Sequence, residues 1–170
     1  MAVSPERDHI AGPAAVPLTL VEYGDYQCPY CGAAYPEVKI VQKKLGPRLR
    51  FVFRNFPITS AHPFAMRAAE TAEAASAQGK FWEMHDFLYE HQDTLGDDQP
   101  ALTFARSIGL DVRRIAKELD LHTYIDRIKE DFMGGVRSGV NGTPTFFVNG
   151  ARHDGPPVAE YLLAALESSS

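Results

Sequence analysis

The sequence is poor in cysteine: it has two in 170 residues, both within the short stretch "QCPYCG". Two thiols cannot build a disulfide scaffold, which uses more cysteines spread along the chain. They cannot alone form a four-cysteine zinc site, and the six histidines show no pairing at ligand spacing. No metal and no cofactor are therefore expected. Basic residues are outnumbered, 17 Lys and Arg against 22 Asp and Glu, for a formal charge of −5. That balance argues against a nucleic-acid footprint, which needs a basic patch or stripe. Long apolar runs are missing too. None approaches the roughly 20 residues that span a bilayer, so no membrane span is expected. The opening "MAVSPERDHIAGPAAVPLTLVEYG" lacks a positive n-region followed by an apolar h-region. As written, the sequence points to the cytoplasm; if a leader has been removed, the expectation is the periplasm or the extracellular space.

What is present is ordinary globular composition, 45% hydrophobic and 23% charged, in a length suited to one domain or one domain with an insertion. Residues 1–16 read as a surface tail. Leu18 to Tyr23 form an apolar run suited to a buried strand, and a helix pattern follows from Pro29 to Leu45, stopped by Gly46-Pro47. Residues 48–57 alternate polar residues with Leu49, Phe51 and Phe53, which predicts a second strand parallel to the first.

From His62 to about Gly139 the pattern is helical throughout. Ala65, Ala68, Ala69, Ala72 and Ala75 share one helix face, and Phe81, Met84 and Leu88 share another. Pro100 suits the start of a third helix, and Asp111 caps a fourth carrying Val112, Ile115 and Leu119. Ile125, Ile128, Phe132 and Val136 define a fifth. Strand character returns at "TPTFFVNGARHDG", with Asn149-Gly150 as a hairpin turn. Pro156-Pro157 then opens a last helix with Val158, Tyr161, Leu162, Ala165 and Leu166 inward, and Ser168 to Ser170 are expected to fray. The layout is β-α-β, a helical block, then β-β-α. It predicts an α/β fold with a mixed central sheet and an inserted all-helical subdomain. The expected division is a tail over 1–16, the sheet domain over 17–61 and 140–170, and the helical insertion over 62–139.

Cys28 falls at the strand-to-helix junction, with Pro29 at the first helical position, where a missing N–H is no loss. The unpaired N–H groups of that first turn and the helix dipole favour a thiolate at Cys28. Cys31, one turn on, is close enough to close a disulfide and should be the more buried of the two. The chemistry this predicts is thiol–disulfide exchange: Cys28 forms a mixed disulfide and Cys31 resolves it. Glu22 interrupts the strand six positions before Cys28. A buried carboxylate tends to hold its proton, so Glu22 is a candidate to take and return the proton of Cys31. The plainer alternatives are a pair of structural thiols, and a Glu22 that faces solvent or pairs with a base such as Arg54.

With these residues together, the chain resembles the DsbA-like branch of the thioredoxin fold. "CPYC" at a helix start, Pro36 eight positions after Cys28, and an acidic residue at Glu22 carry the likeness, together with "NGTPTFFVNG" and the helical insertion. The segment from Ser60 to Gln92 resembles the insertion of a bacterial subgroup, some of whose members are fused to ion antiporters. The resemblance implies a cis peptide bond before Pro144, facing the cysteine pair. Thr143, Pro144, Tyr26, Pro29 and Tyr30 would then line a shallow docking surface for substrate. It also implies cysteine-containing protein substrates and a redox-recycling partner, either the thioredoxin or glutathione system or a membrane oxidase.

One departure stands out: Pro29-Tyr30 is the dipeptide typical of glutaredoxins, where strongly oxidising relatives carry Pro-His. Glutathione-linked reduction and a non-catalytic adaptor that grips a partner protein are therefore the alternative functions. His62 is a weaker candidate at a helix start, while Trp82, His85 and His91 read as core or surface residues.

Overall fold

The computed structural model describes residues 1–169. Among them the chain forms a five-stranded mixed sheet in the order β1-β3-β2-β4-β5. The strands are β1 (His9–Ala11), β2 (Leu18–Gly24), β3 (Leu49–Asn55), β4 (Thr145–Val148) and β5 (Ala151–His153). Helix α1 (Pro29–Leu45) crosses from β2 to β3, which pair in parallel as the β-α-β pattern predicts. Between β3 and β4 lie α2 (Ala65–Ser76), α3 (Phe81–Glu90), α4 (Gln99–Ser107), α5 (Val112–Asp120) and α6 (Ile125–Arg137). Helix α7 (Ala159–Ser168) closes the fold.

Every residue of β2 is buried because the central strand is covered on both faces. Leu18 and Leu20 face the main core, with Phe51 and Phe53 of β3, Val38 and Val41 of α1, and Leu162 and Leu166 of α7. Val21 and Tyr23 face a smaller core with Val52, Phe56, Val140 and Phe147. The alternation of strand side chains decides which face each residue joins.

The alanine stripe of α2 is fully buried, as its spacing predicts. Its small side chains let α3 and α5 pack closely, and Met84, Leu88, Ile115 and Leu119 fill the space between. Asp111 caps α5, accepting the Arg114 N–H at 3.1 Å. Asn149 (φ 46°) and Gly150 (φ 87°) make the turn between β4 and β5, the left-handed pair that suits the strand twist.

Four expectations are corrected. The tail contains β1, which pairs antiparallel with β3; three residues give too short a pattern to read. The first helix of the block begins at Ala65, after a turn that holds His62. In α6, Val136 is 45% exposed, and Asp131 with Gly135 occupies the buried face instead. In α7, Val158 and Tyr161 are exposed, and the inward residues are Ala159, Leu162 and Leu166. That helix starts where the Glu37 carboxylate accepts the Ala159 N–H at 2.7 Å, two positions after Pro157. It runs through Ser168; Ser170 lies outside the described residues.

Candidate active site

The two cysteines sit at the C-terminal end of β2, where the chain turns into α1. Cys28 is the residue before the first helical position, with extended backbone (φ −65°, ψ 123°), and Pro29 occupies the first turn. Both are free thiols, with Cys28 2% and Cys31 0% exposed. As a thiol, Cys28 donates to the Thr143 carbonyl at 3.5 Å. The Thr143–Pro144 peptide is cis, as the resemblance implied. The Thr143 carbonyl thus lies against Cys28 although 115 positions separate the two residues.

Cys28 is lowered to about 5. The hydrogen bond from the Cys31 thiol contributes most, burial opposes it, and the Thr143 side chain and the N–H groups of Cys31 and Tyr30 add support. The helix end therefore acts as expected, but as a secondary cause behind the second thiol. Burial, and then the bond that Cys31 makes to Cys28, hold Cys31 well above the ordinary thiol range. Two identical side chains one turn apart are driven in opposite directions.

Glu22 is 2% exposed, and its Oε1 has no hydrogen-bond partner. Burial first, then the charge of Cys28, raise its carboxyl to about 8. The alternative pairing with Arg54 is excluded by register. Glu22 stands opposite Phe53, and Tyr23 opposite Arg54, so Arg54 lies on the other face. There it bonds Asp8 through Nε and NH2, both at 2.8 Å. Tyr89 of α3 also carries a buried hydroxyl without a partner. It reaches over Gly24, where an added Cβ would stand 2.8 Å from the Tyr89 hydroxyl and 2.5 Å from the Phe53 ring. Gly24 shares the face of Glu22, two residues earlier.

Of the expected docking residues, Pro29 and Tyr30 are exposed, Tyr30 at 74%. Thr143 and Pro144 are partly exposed. Tyr26 is a correction: it is 1% exposed and cannot line a surface. Its ring packs between Phe53 and Tyr89, and its hydroxyl bonds His85 Nδ1 at 2.9 Å. Burial holds His85 well below the usual imidazole range, so its ring stays neutral. Trp82 packs against the same core and donates to the Ile10 carbonyl, and His91 bonds the Phe87 carbonyl.

Two residues around the site were not singled out from sequence. Asp25 accepts the N–H groups of Gln27 and Cys28 at 2.8 and 3.1 Å; an acidic residue three positions before the cysteine at a turn was a usable signal. Gln92 donates from Nε2 to the carbonyls of Tyr26 and Cys28 at 2.8 and 2.9 Å. It comes from the segment after α3, and no local pattern announces it. Its room is made by Gly32, where a Cβ would lie 2.2 Å from Gln92 Oε1.

Residues 4–168 match the thioredoxin family. Curated relatives of similar sequence are two Na(+)/H(+) antiporters, NhaA 3 of Salinispora tropica at 47% identity and NhaA 1 of Salinispora arenicola at 48%. Each alignment takes in 98% of this chain and 25% of the relative, so the chain spans about a quarter of their length. Among the described residues no helix is long and apolar enough to cross a membrane. A thioredoxin-like oxidoreductase from Silicibacter pomeroyi superposes with a TM-score of 0.80 at 29% identity, covering 98% of this chain and 93% of that one. BdbD from Bacillus subtilis, in its oxidised form, gives 0.85 at 23% identity over 98% and 94%, a likeness of fold. Wolbachia pipientis alpha-DsbA1 gives 0.83 at 17% over 98% and 92%, also a likeness of fold.

Proposed function

We propose, from the premise that this chain belongs to the thioredoxin family and has the DsbA-like form of its fold, that it exchanges disulfides with protein cysteines through Cys28 and Cys31. The observation that carries the reading is the unlike placement of the two thiols: Cys28 at the residue before the helix, bonded to the Thr143 carbonyl at 3.5 Å, and Cys31 one turn on and 0% exposed, which lowers the first and holds the second high. Structural thiols need no such asymmetry.

In the oxidising direction, a substrate thiolate attacks Cys28 Sγ of the Cys28–Cys31 disulfide. The sulfur–sulfur bond breaks and Cys31 leaves, taking a proton from Glu22. A second substrate thiolate then attacks the substrate sulfur of the mixed disulfide, and Cys28 departs as a stabilised thiolate. The substrate has lost two electrons and the cysteine pair has gained them. A recycling partner removes them again. Glu22 regains its proton from water between turnovers, which a carboxyl near 8 does readily at neutral pH. The reverse sequence reduces a substrate disulfide, with Cys31 passing its proton to Glu22. Thr143 and Pro144 hold the extended substrate beside Cys28, and Pro29 and Tyr30 form the opposite rim.

A Cys28 thiolate near 5 lies between those of DsbA, about 3.5, and thioredoxin, about 7. That supports a reduction potential between their values of roughly −120 and −270 mV, on the disulfide-donating side of thioredoxin. The division into a sheet domain and a helical insertion over 62–139 stays part of the proposal, the insertion serving as the roof of the site.

The test is equilibration with glutathione followed by alkylation of free thiols, together with Cys28→Ser and Cys31→Ser. Cys28→Ser is expected to abolish exchange, and Cys31→Ser to accumulate mixed disulfides with substrate. Full activity in Cys28→Ser would end the proposal. Partner binding that survives in both variants, with no exchange in the wild type, would favour the adaptor.

A further inference from the structure

Asp25 takes no part in the exchange steps, yet its side chain is 0% exposed and accepts four hydrogen bonds. Oδ1 takes the N–H groups of Gln27 at 2.8 Å and Cys28 at 3.1 Å. Oδ2 takes the N–H of Ile58 at 2.9 Å and His62 Nδ1 at 2.8 Å. A carboxylate only accepts, so the proton of that last bond sits on His62 Nδ1. His62 belongs to the turn after β3, which is closed by its own N–H on the Ile58 carbonyl at 2.9 Å. One carboxylate therefore ties the turn that presents Cys28 to the turn that opens the helical block. A second tie runs beside it, from the Phe64 N–H to Gln27 Oε1 at 2.7 Å.

A buried negative charge one hydrogen bond from the Cys28 backbone would oppose a thiolate on the same residue. The imidazole N–H is the one side-chain donor on that carboxylate among the bonds described, and it draws the charge towards α2. Only the reduced form carries a thiolate. Any group that raises or lowers the energy of that thiolate changes the reduction potential by the same amount. We propose that Asp25 and His62 form a positioning pair that fixes the Cys28 turn and sets the potential of the Cys28–Cys31 couple, His62 making it more oxidising and Asp25 less so. The inference rests on the oxidoreductase reading.

The two residues then have opposite signatures. His62→Ala leaves the carboxylate without its side-chain donor and should shift the equilibrium with glutathione towards the disulfide form by about tenfold, about 30 mV. Asp25→Asn removes the charge and should shift it about tenfold the other way. His62→Asn keeps an N–H near the Nδ1 position and should stay within about twofold of wild type. The measurement is the glutathione equilibrium of the full chain and its variants, with the Cys28 thiolate followed by ultraviolet absorbance and folding by circular dichroism. A purely structural brace would lower stability in both variants without opposed shifts.

Shifts of the same sign, or none beyond twofold, would overturn the inference. Asparagine cannot accept all four bonds, so Asp25→Asn is the variant at risk of not folding. In that case His62→Ala and His62→Asn decide, and equal shifts in those two would overturn it. A wild-type pair that never forms a disulfide would sink the parent reading, and this inference with it. A wild type that titrates normally beside unmoved variants would sink this inference alone.

Discussion

Glu22 and Glu73 are equally buried, each 2% exposed, and they behave in opposite ways. Glu73 lies on α2 at the edge of the sheet beyond β3. Its Oε1 meets His9 Nε2 at 2.7 Å and Asn55 Nδ2 at 2.9 Å, and its Oε2 takes Arg127 Nε at 2.7 Å. Burial pushes its carboxyl up, but the His9 bond, the charges of His9 and Arg127 and the Asn55 bond outweigh it and leave it lowered. Glu22 has the burial without the partners and rises to about 8. Depth alone does not decide what a carboxyl does. The donors supplied by neighbouring elements decide it, turning one glutamate into a tie between β1, β3, α2 and α6 and leaving the other raised, as the proton store proposed for Cys31.

The sharpest way to break this contrast is to remove the tie. Glu73→Ala leaves the partly buried Arg127 and His9 and the buried Asn55 without their shared acceptor and should lower stability by about 2–3 kcal/mol, read by urea unfolding, with the glutathione equilibrium unchanged. A shifted equilibrium would show that the two sites are not separate.

Glu22→Gln should act the other way. The folded carboxyl titrates near 8 and the unfolded one near 4.5. The native state therefore binds more protons between those values, and wild-type stability falls as pH rises through that window. The glutamine variant escapes this loss. It should match wild type near pH 4 and exceed it by about 2–4 kcal/mol near pH 9. It should also slow exchange by about a hundredfold at neutral pH, because Cys31 loses its proton partner. A variant whose advantage over wild type is no larger at pH 9 than at pH 4 would mean that Glu22 is already satisfied.

The smallest effect is expected from Tyr89→Phe. Its hydroxyl is buried and unpartnered, so its loss should change stability by less than about 1 kcal/mol. A loss of several kcal/mol on urea unfolding would show that Tyr89 and Glu22 share a bonded network.

The contrast also marks where the sequence was legible. β2, α1 and β3 were readable because alternation, a proline at the helix start and Gly46-Pro47 all act within a few residues. So were Cys28, Cys31 and Glu22, since their spacing from the helix start is local. Residues such as Glu73, Asn55 and Asp131 sit together only because β3, α2 and α6 converge, and Gln92 reaches Cys28 from 64 positions away. Tyr26 was misplaced for the same reason. Beside the cysteines in sequence it looks like a rim residue, but α3 supplies His85 and Tyr89 to enclose it. Val136 and Tyr161 follow helical periodicity and still face outward, because no element covers them.

The two outer strands, β1 and β5, are three residues each. A protein proposed to handle unfolded chains with exposed thiols meets the segments most prone to add on to a sheet margin and seed an aggregate. Here each margin offers only about one pleat of free backbone, and the long strands β2 and β3 are enclosed between them. Under that proposal the loop of Thr143 and Pro144 is the place left for client chains to pair, and the brevity of the outer strands separates brief handling of a client from permanent capture by it.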